Sequence, residues 1–241
     1  MKYNIKLPAS NDREIKILNF SGTNPVTNVV LGVNSLYFTK NNEPWFPVMG
    51  EFHFSRYPEQ FWKEEILKMK AGGIEIIATY IFWIHHEEEK NVWDWSKERY
   101  LRKFIEICAE CDVYCLLRLG PWNHGEVRNG GFPDWLVEAG IELRSDDTKY
   151  LGYVNKFYTE IFNHAKGLLF KDGGPVIGVQ IENEYAHCGG FGGEKGMQHM
   201  RSLTQMAKEI GFIVPYYTST GWGGALIADN LPVMGAYADA P

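Results

Sequence analysis

Residues Pro58 to Tyr80 read PEQFWKEEILKMKAGGIEIIATY. Trp62, Ile66 and Met69 recur at spacings of four and three, which places them on one face of a helix from about Pro58 to Ala71. Gly72-Gly73 stops that helix, because glycine enters the left-handed backbone region after a helix at little cost. Glu75 to Tyr80, rich in β-branched residues, then reads as a strand. Helix, glycine stop and strand make one beat of a fold whose parallel strands return through helices.

The beat repeats in both directions. Upstream lies a strand from Val48 to Phe54. Before it, Ser35 to Thr39 and Trp45 to Val48 flank the turn residues Lys40-Asn-Asn-Glu-Pro44, a β-hairpin following an irregular start. Downstream come a helix Lys97 to Glu110, a strand Val113 to Leu119, and a helix near 147–166 carrying Leu151, Val154, Tyr158, Ile161 and Ala165 at steps of three and four. A strand Val176 to Ile181, a helix Met197 to Ile210, and strands Val214 to Thr218 and Leu231 to Tyr237 complete the series. No Gly-x-Gly-x-x-Gly turn follows the first strand, so a dinucleotide fold has no support. The expected architecture is α/β, a TIM (β/α)8 barrel with about six of its eight strands. It divides into an N-terminal irregular segment with a β-hairpin (1–46) and a partial barrel (47–241). Six strands do not close such a barrel, so the chain is expected to be cut short.

The composition limits the function. Among 241 residues, 24 basic against 30 acidic side chains give a net charge of −6, which removes the electrostatic footprint of a nucleic-acid binder. No apolar run approaches the roughly 20 residues of a membrane span, and the start MKYNIKLPASNDREIK has no apolar signal core. The expectation is a soluble chain, cytoplasmic by default. Aromatic residues reach 15%, many beside Gly, His, Asn and Glu, and flat amphipathic rings next to polar groups suit a polyol ligand.

In a (β/α)8 barrel the reacting groups belong at the carboxyl ends of strands. The first four ends here carry His53-Phe-Ser-Arg56, Thr79-Tyr80, the loop Gly120 to Gly131, and Gln180-Ile-Glu-Asn-Glu-Tyr185. A period of two places Gln180, Glu182 and Glu184 on one face. A carboxylic acid that keeps its proton near neutral pH can give it to a leaving oxygen. Glu184, at the rim, is the candidate for that role. Glu182, deeper, suits a structural role, hydrogen-bonded to backbone or to Arg118. Asn183 faces away under strict alternation, and reaches a ligand only if the strand ends there. Glu126 sits in a Gly-rich loop, as a site carboxylate or as one that caps a helix or staples the loop.

Two clusters suggest metal and are discounted. Cys108, Cys111 and Cys115 have finger-like spacing, but Cys108 continues a helical stripe and Cys115 lies in a strand, so they read as small buried hydrophobes. His85, His86 and Glu87 lack the i,i+4 histidine pair of a helical metal site and read as hydrogen-bonded loop residues.

These strings together resemble glycoside hydrolase family 35, the retaining β-galactosidases, over about Phe46 to Tyr237. The resemblance is densest in Gly50-Glu-Phe-His-Phe-Ser-Arg-Tyr-Pro58, Thr79-Tyr80-Ile-Phe-Trp83, Gly130-Gly-Phe-Pro-Asp-Trp-Leu136 and Gln180 to Tyr185. It implies that Glu184 is the acid/base residue, that Asn183 binds the sugar near its 2-hydroxyl, and that Tyr80 and Glu126 are sugar-binding. It implies no cofactor and no metal, with a β-galactoside as substrate. It puts the catalytic nucleophile, a glutamate ending the seventh strand, beyond Pro241, so that residues 1–241 alone are expected to be inactive. The chain departs from the family pattern at Ile84-His85 and at Trp122-Asn-His-Gly125, which leaves open a different β-glycoside. Rival readings are a sugar-binding barrel without catalysis and a metal-dependent hydrolase using His85, His86 and His124.

Overall fold

A computed structural model describes residues 15–220 and 224–233. Two sheets organise them. The first is antiparallel, in the order β1 (Ile17–Thr23), β2 (Val30–Asn34), β3 (Phe38–Lys40), β4 (Glu43–Trp45). β3 and β4 form a tight hairpin in register Phe38↔Trp45, turning through Asn41 and Asn42 at φ 54° and 67°. Positive φ at both central residues is the turn whose twist matches a hairpin, and asparagine tolerates it. The two strands upstream lie where the sequence reads as irregular. β2 is half-buried at all five positions, so no alternation announces it.

The second sheet is parallel throughout and runs in sequence order: β5 (Met49–Glu51), β6 (Ile76–Tyr80), β7 (Tyr114–Gly120), β8 (Val176–Ile181), β9 (Tyr216–Ser219), β10 (Leu231–Val233). Helices α1 (Trp62–Ala71), α2 (Trp83–His86), α3 (Leu101–Glu110), α4 (Asp134–Val137), α5 (Thr148–Ala165) and α6 (Gly193–Ile210) fall between the strands. Sequential parallel strands with intervening helices are the arrangement of a TIM barrel, and six strands of an incomplete one are present.

Burial explains the elements. All five residues of β6 are buried, as expected of a strand covered on both faces. α3 buries Leu101, Phe104, Ile105 and Cys108, and α5 buries Tyr150, Val154, Phe157, Tyr158, Ile161 and Ala165. Asp147 caps α5, its carboxylate accepting the Lys149 and Tyr150 amides at 2.9 Å each. The first barrel strand is shorter than expected because a 3-10 turn takes over at Phe54–Arg56. α6 starts four residues before Met197, in a glycine-rich stretch that hides it. A Cβ on Gly196 would stand 1.9 Å from the Phe191 carbonyl oxygen, so glycine is required there. Of the strand expected over Leu231 to Tyr237, residues 234–237 lie outside the described residues.

Trp45 fixes where the small sheet sits. Its indole donates to Glu75 Oε2 at 3.1 Å and packs edge-on against Tyr114 at 5.5 Å. Glu75 immediately precedes β6 and Tyr114 begins β7, so the small sheet covers the amino ends of the barrel strands and leaves the carboxyl ends clear.

Candidate active site

Register builds the floor. Tyr80, Arg118, Gln180 and Tyr217 are successive partners across β6, β7, β8 and β9. Paired residues of a parallel sheet share a face. The Arg118 guanidinium lies 3.6 Å from the Tyr80 ring centroid and donates to Gln180 Oε1 at 2.9 Å, to both Glu51 oxygens at 2.7 and 2.6 Å, to Asn183 Oδ1 at 2.8 Å, and to the Tyr80 hydroxyl. The Tyr80 hydroxyl and Gln180 Nε2 each donate to the same Asn183 oxygen at 3.0 Å. Three donors on one oxygen fix the amide: Oδ1 points to the floor and Nδ2 points away, toward His124. The Tyr217 hydroxyl is buried without a partner among the described residues.

Backbone geometry explains how Asn183 reaches that position. β8 ends at Ile181, and Glu182 and Glu184 take φ of 54° and 48°. Left-handed backbone at a residue other than glycine costs about 1–2 kcal/mol and persists where the surroundings impose it. The expected sharing of one face by Gln180, Glu182 and Glu184 is therefore corrected: the left turn at Glu182 breaks the alternation, and Gln180 converges with Asn183 instead.

Glu182 is fully buried and structural; its carboxylate accepts the neighbouring Asn183 amide at 3.1 Å as expected, but its charged partner is Arg144, not Arg118. Arg144 grips both carboxylate oxygens, Nε to Oε1 at 3.0 Å and Nη2 to Oε2 at 2.7 Å. It also donates to the Cys188 carbonyl and stacks over Trp122 at 4.2 Å, while its own carbonyl accepts the Tyr185 hydroxyl at 2.7 Å. Arg118 is already engaged by Glu51, which explains the exchange of partners. Trp122 in turn needs Gly130, where a Cβ would stand 1.8 Å from the indole nitrogen.

Glu184 is 8% exposed. Its amide donates to the Ser219 carbonyl at 2.9 Å, tying the residue to the end of β9. Its Oε2 accepts the Cys188 thiol at 3.0 Å and lies 3.6 Å from His124 Nδ1. Burial, reinforced by the hydrogen bond to Glu184, pushes the Cys188 thiol up to about 11, so it is a neutral donor near pH 7. Glu126 is exposed and makes no hydrogen bond to Tyr80, Asn183 or Glu184 among the described residues. Its carbonyl accepts Arg56 Nη2 at 3.2 Å, and its charge acts on His53, which stacks on Tyr80 at 5.3 Å.

His85 and His86 sit on the single turn α2, with bonds to Ser55 Oγ at 2.8 Å and to the Asp94 carbonyl at 3.1 Å. His86 also stacks on Trp95 at 4.0 Å. Neither joins His124 in a convergent ligand group among the described residues. Among the described residues the convergent ligand group is His124, Glu184 and Cys188, with donor atoms within 4.8 Å of one another. Cys108 on α3 and Cys115 on β7 are buried free thiols, with Cys111 just after α3.

Thus Tyr80 and Asn183 are bonded, Glu184 is their neighbour, and Glu126 stands apart on the rim. Sequence reasoning missed Glu51, Arg144, Cys188 and Tyr217 as parts of the site. Strand register would have found Tyr217. Arg144 and Cys188 lie on irregular segments with no periodicity to expose them.

Residues 37–230 match the sequence profile described as Glycosyl hydrolases family 35. Beta-galactosidase 8 of Oryza sativa subsp. japonica is 36% identical over 187 residues, covering 76% of this chain and 27% of that protein. Beta-galactosidase of Homo sapiens is 39% identical over 149 residues, 61% of this chain and 22% of that protein. The chain thus spans about a quarter of the length of these relatives. Among solved structures, the endo-1,4-beta-mannanase from Rhizomucor miehei superposes with TM-score 0.59 at 15% identity, covering 78% of this chain and 59% of that one. The exo-beta-1,4-mannosidase Op5Man5 from Opitutaceae bacterium strain TAV5 does so with TM-score 0.55 at 14% identity, covering 73% and 32%. These two likenesses concern the fold alone. The profile match spans four-fifths of the sequence, and the chain belongs to glycosyl hydrolase family 35.

Proposed function

We propose that this chain carries the acid/base half of a retaining β-galactosidase acting on terminal β-D-galactosyl residues. The observation that carries the reading is the pairing of a nearly buried carboxyl, Glu184, with an adjacent amide, Asn183, whose NH2 is turned away from the floor. Glu184 protonates the glycosidic oxygen as the bond breaks, and a carboxylate on the opposite side attacks the anomeric carbon. Glu184 then takes a proton from water, which releases the sugar. The attacking carboxylate is the family's glutamate on a seventh strand, beyond residue 241. The Cys188 thiol engages Oε2 of Glu184, so proton transfer runs through Oε1, which no hydrogen bond reaches among the described residues. Asn183 Nδ2 is a donor for the 2-hydroxyl, where a hydrogen bond strengthens as the oxocarbenium-like state forms. Tyr80 orients Asn183 and faces the sugar, and Glu126 on the exposed rim accepts from a more distant hydroxyl.

Proton NMR of the first-formed sugar tests the reading on the protein extended through its seventh and eighth strands. Release of the β-anomer from a β-galactoside is expected. Initial α-galactose would exclude double displacement, and turnover of β-mannosides in preference to β-galactosides would move the glycone.

A further inference from the structure

The proposed catalytic carboxyl has a second set of neighbours. His124 comes from the loop after β7, and Glu184 and Cys188 from the segment after β8. Their ligand atoms all lie within 4.8 Å of one another, with Cys188 Sγ 3.0 Å and His124 Nδ1 3.6 Å from Glu184 Oε2. We propose that His124, Glu184 and Cys188 form a binding site for a zinc-class divalent cation at the mouth of the site.

Donor chemistry selects the ion. One imidazole, one carboxylate and one thiol are a borderline-soft set, whereas magnesium and calcium take oxygen. A tetrahedral zinc, with bonds of roughly 2.0–2.3 Å, needs ligand atoms about 3.3–3.6 Å apart. The Nδ1–Oε2 separation lies at the upper end of that range and the Sγ–Oε2 separation just short of it, and the third edge closes by a small motion of a half-buried and an exposed side chain.

The tautomer is also in place. Asn183 Oδ1 is engaged by Tyr80, Arg118 and Gln180, so the group 3.4 Å from His124 Nδ1 is the amide NH2. An NH2 donates, so Nδ1 is the unprotonated nitrogen, the form that a metal needs, and on binding the cation takes the lone pair from this long contact and breaks it. Cys188 is a thiol before binding. On binding, the S–H bond breaks, a metal–sulfur bond forms and the proton leaves to water, with no change of oxidation state. His124 is exposed while Glu184 is buried, so the cation enters from solvent and keeps an open fourth position there.

A dication held on Oε2 keeps the Glu184 carboxyl ionised, so Oε1 has no proton to give to the leaving oxygen. This consequence, unlike the site itself, rests on the acid/base reading above, and it makes the cation a reversible inhibitor.

Cobalt(II) titration of the purified protein reads the site directly. One equivalent should produce a thiolate-to-cobalt charge-transfer absorption that zinc displaces. Cys188→Ser should abolish the band, and His124→Gln, at an exposed position, should weaken cobalt binding by more than about tenfold. No band in the native protein, or a band that survives Cys188→Ser, would overturn the site. In the extended, active protein, zinc should inhibit hydrolysis, and Cys188→Ser should need at least about tenfold more zinc for the same fractional loss. If the band appears and depends on Cys188 while zinc leaves hydrolysis untouched, the site stands and the acid/base role of Glu184 falls. If no band appears while hydrolysis depends on Glu184, the cation site falls and the enzymatic reading stands.

Discussion

The Tyr80 hydroxyl lies 3.0 Å from Asn183 Oδ1, joining the end of β6 to the residue two places past the end of β8. With Arg118 and Gln180 it turns the asparagine oxygen into the floor and the nitrogen toward the opening. The side chain is thereby set as a donor before any ligand arrives, which lowers the cost of ordering it on binding.

That orientation makes a prediction about one hydroxyl. In the protein extended through its remaining barrel strands, Asn183→Ala should lower kcat/KM for a β-galactoside by at least about tenfold, the worth of one hydrogen bond in a dry site. The same change should have much less effect on the 2-deoxy substrate. Equal losses on both substrates, measured as a two-by-two cycle, would remove the 2-hydroxyl assignment.

Arg144 and Glu182 form a buried ion pair that holds the segment carrying Glu184. Removing one partner leaves a buried charge without compensation. Arg144→Met should cost about 3–5 kcal/mol in urea unfolding, and Arg144→Met with Glu182→Leu should restore much of it. In the extended protein the double variant should still hydrolyse poorly, because an apolar pair no longer ties down the Cys188 carbonyl. A double variant with ordinary activity would show that the clamp serves stability alone.

How far the sequence led depends on whether the signal was local. The α1–β6 unit was legible from Trp62, Ile66 and the Gly72-Gly73 stop, and β8 lies where the Val176 to Ile181 pattern puts it. Glu184 reads from the sequence as a carboxyl at a strand's rim, whereas strict alternation turns Asn183 away, and the left-handed backbone at Glu182 that brings Asn183 to the floor has no sequence signal. The partner of Glu182 was not legible, since choosing Arg144 over Arg118 requires knowing that Glu51 already holds Arg118. β2 was missed because its side chains are evenly half-buried, and the start of α6 because glycines begin it. In both cases tertiary packing supplies what local propensity lacks.

Buried histidines give the fold an acid limit. Burial holds His86 down to about 3, and burial with the Arg56 and Arg99 charges holds His85 down to about 4, from an ordinary 6.5. The folded state therefore binds fewer protons than the unfolded chain. Stability is complete above about 6.5 and falls as the pH drops from there toward those values. Urea midpoints between pH 7.5 and 5 should decline. His86→Phe, less stable at pH 7.5 for loss of the Asp94 bond, should show a slope reduced by up to about 1.4 kcal/mol per pH unit. An unchanged slope would place the acid sensitivity elsewhere.

Residues 1–241 assayed alone with an activated aryl β-galactoside should show no turnover. An acid can protonate a leaving group, but without an opposing carboxylate the oxocarbenium-like state has neither nucleophile nor electrostatic partner. Turnover comparable to that of the extended protein would place the second carboxylate within these residues.

The central claim is that Glu184 donates the proton, and a leaving-group series tests it most directly. In the extended protein, Glu184→Gln should slow aryl β-galactosides with poor leaving groups by about 10²–10⁴ and leave the bond-breaking step of strongly activated ones much less affected. Rates plotted against leaving-group pKa should therefore steepen in the variant. A uniform loss across the series, with no change in slope, would contradict the account and make Glu184 a structural carboxylate.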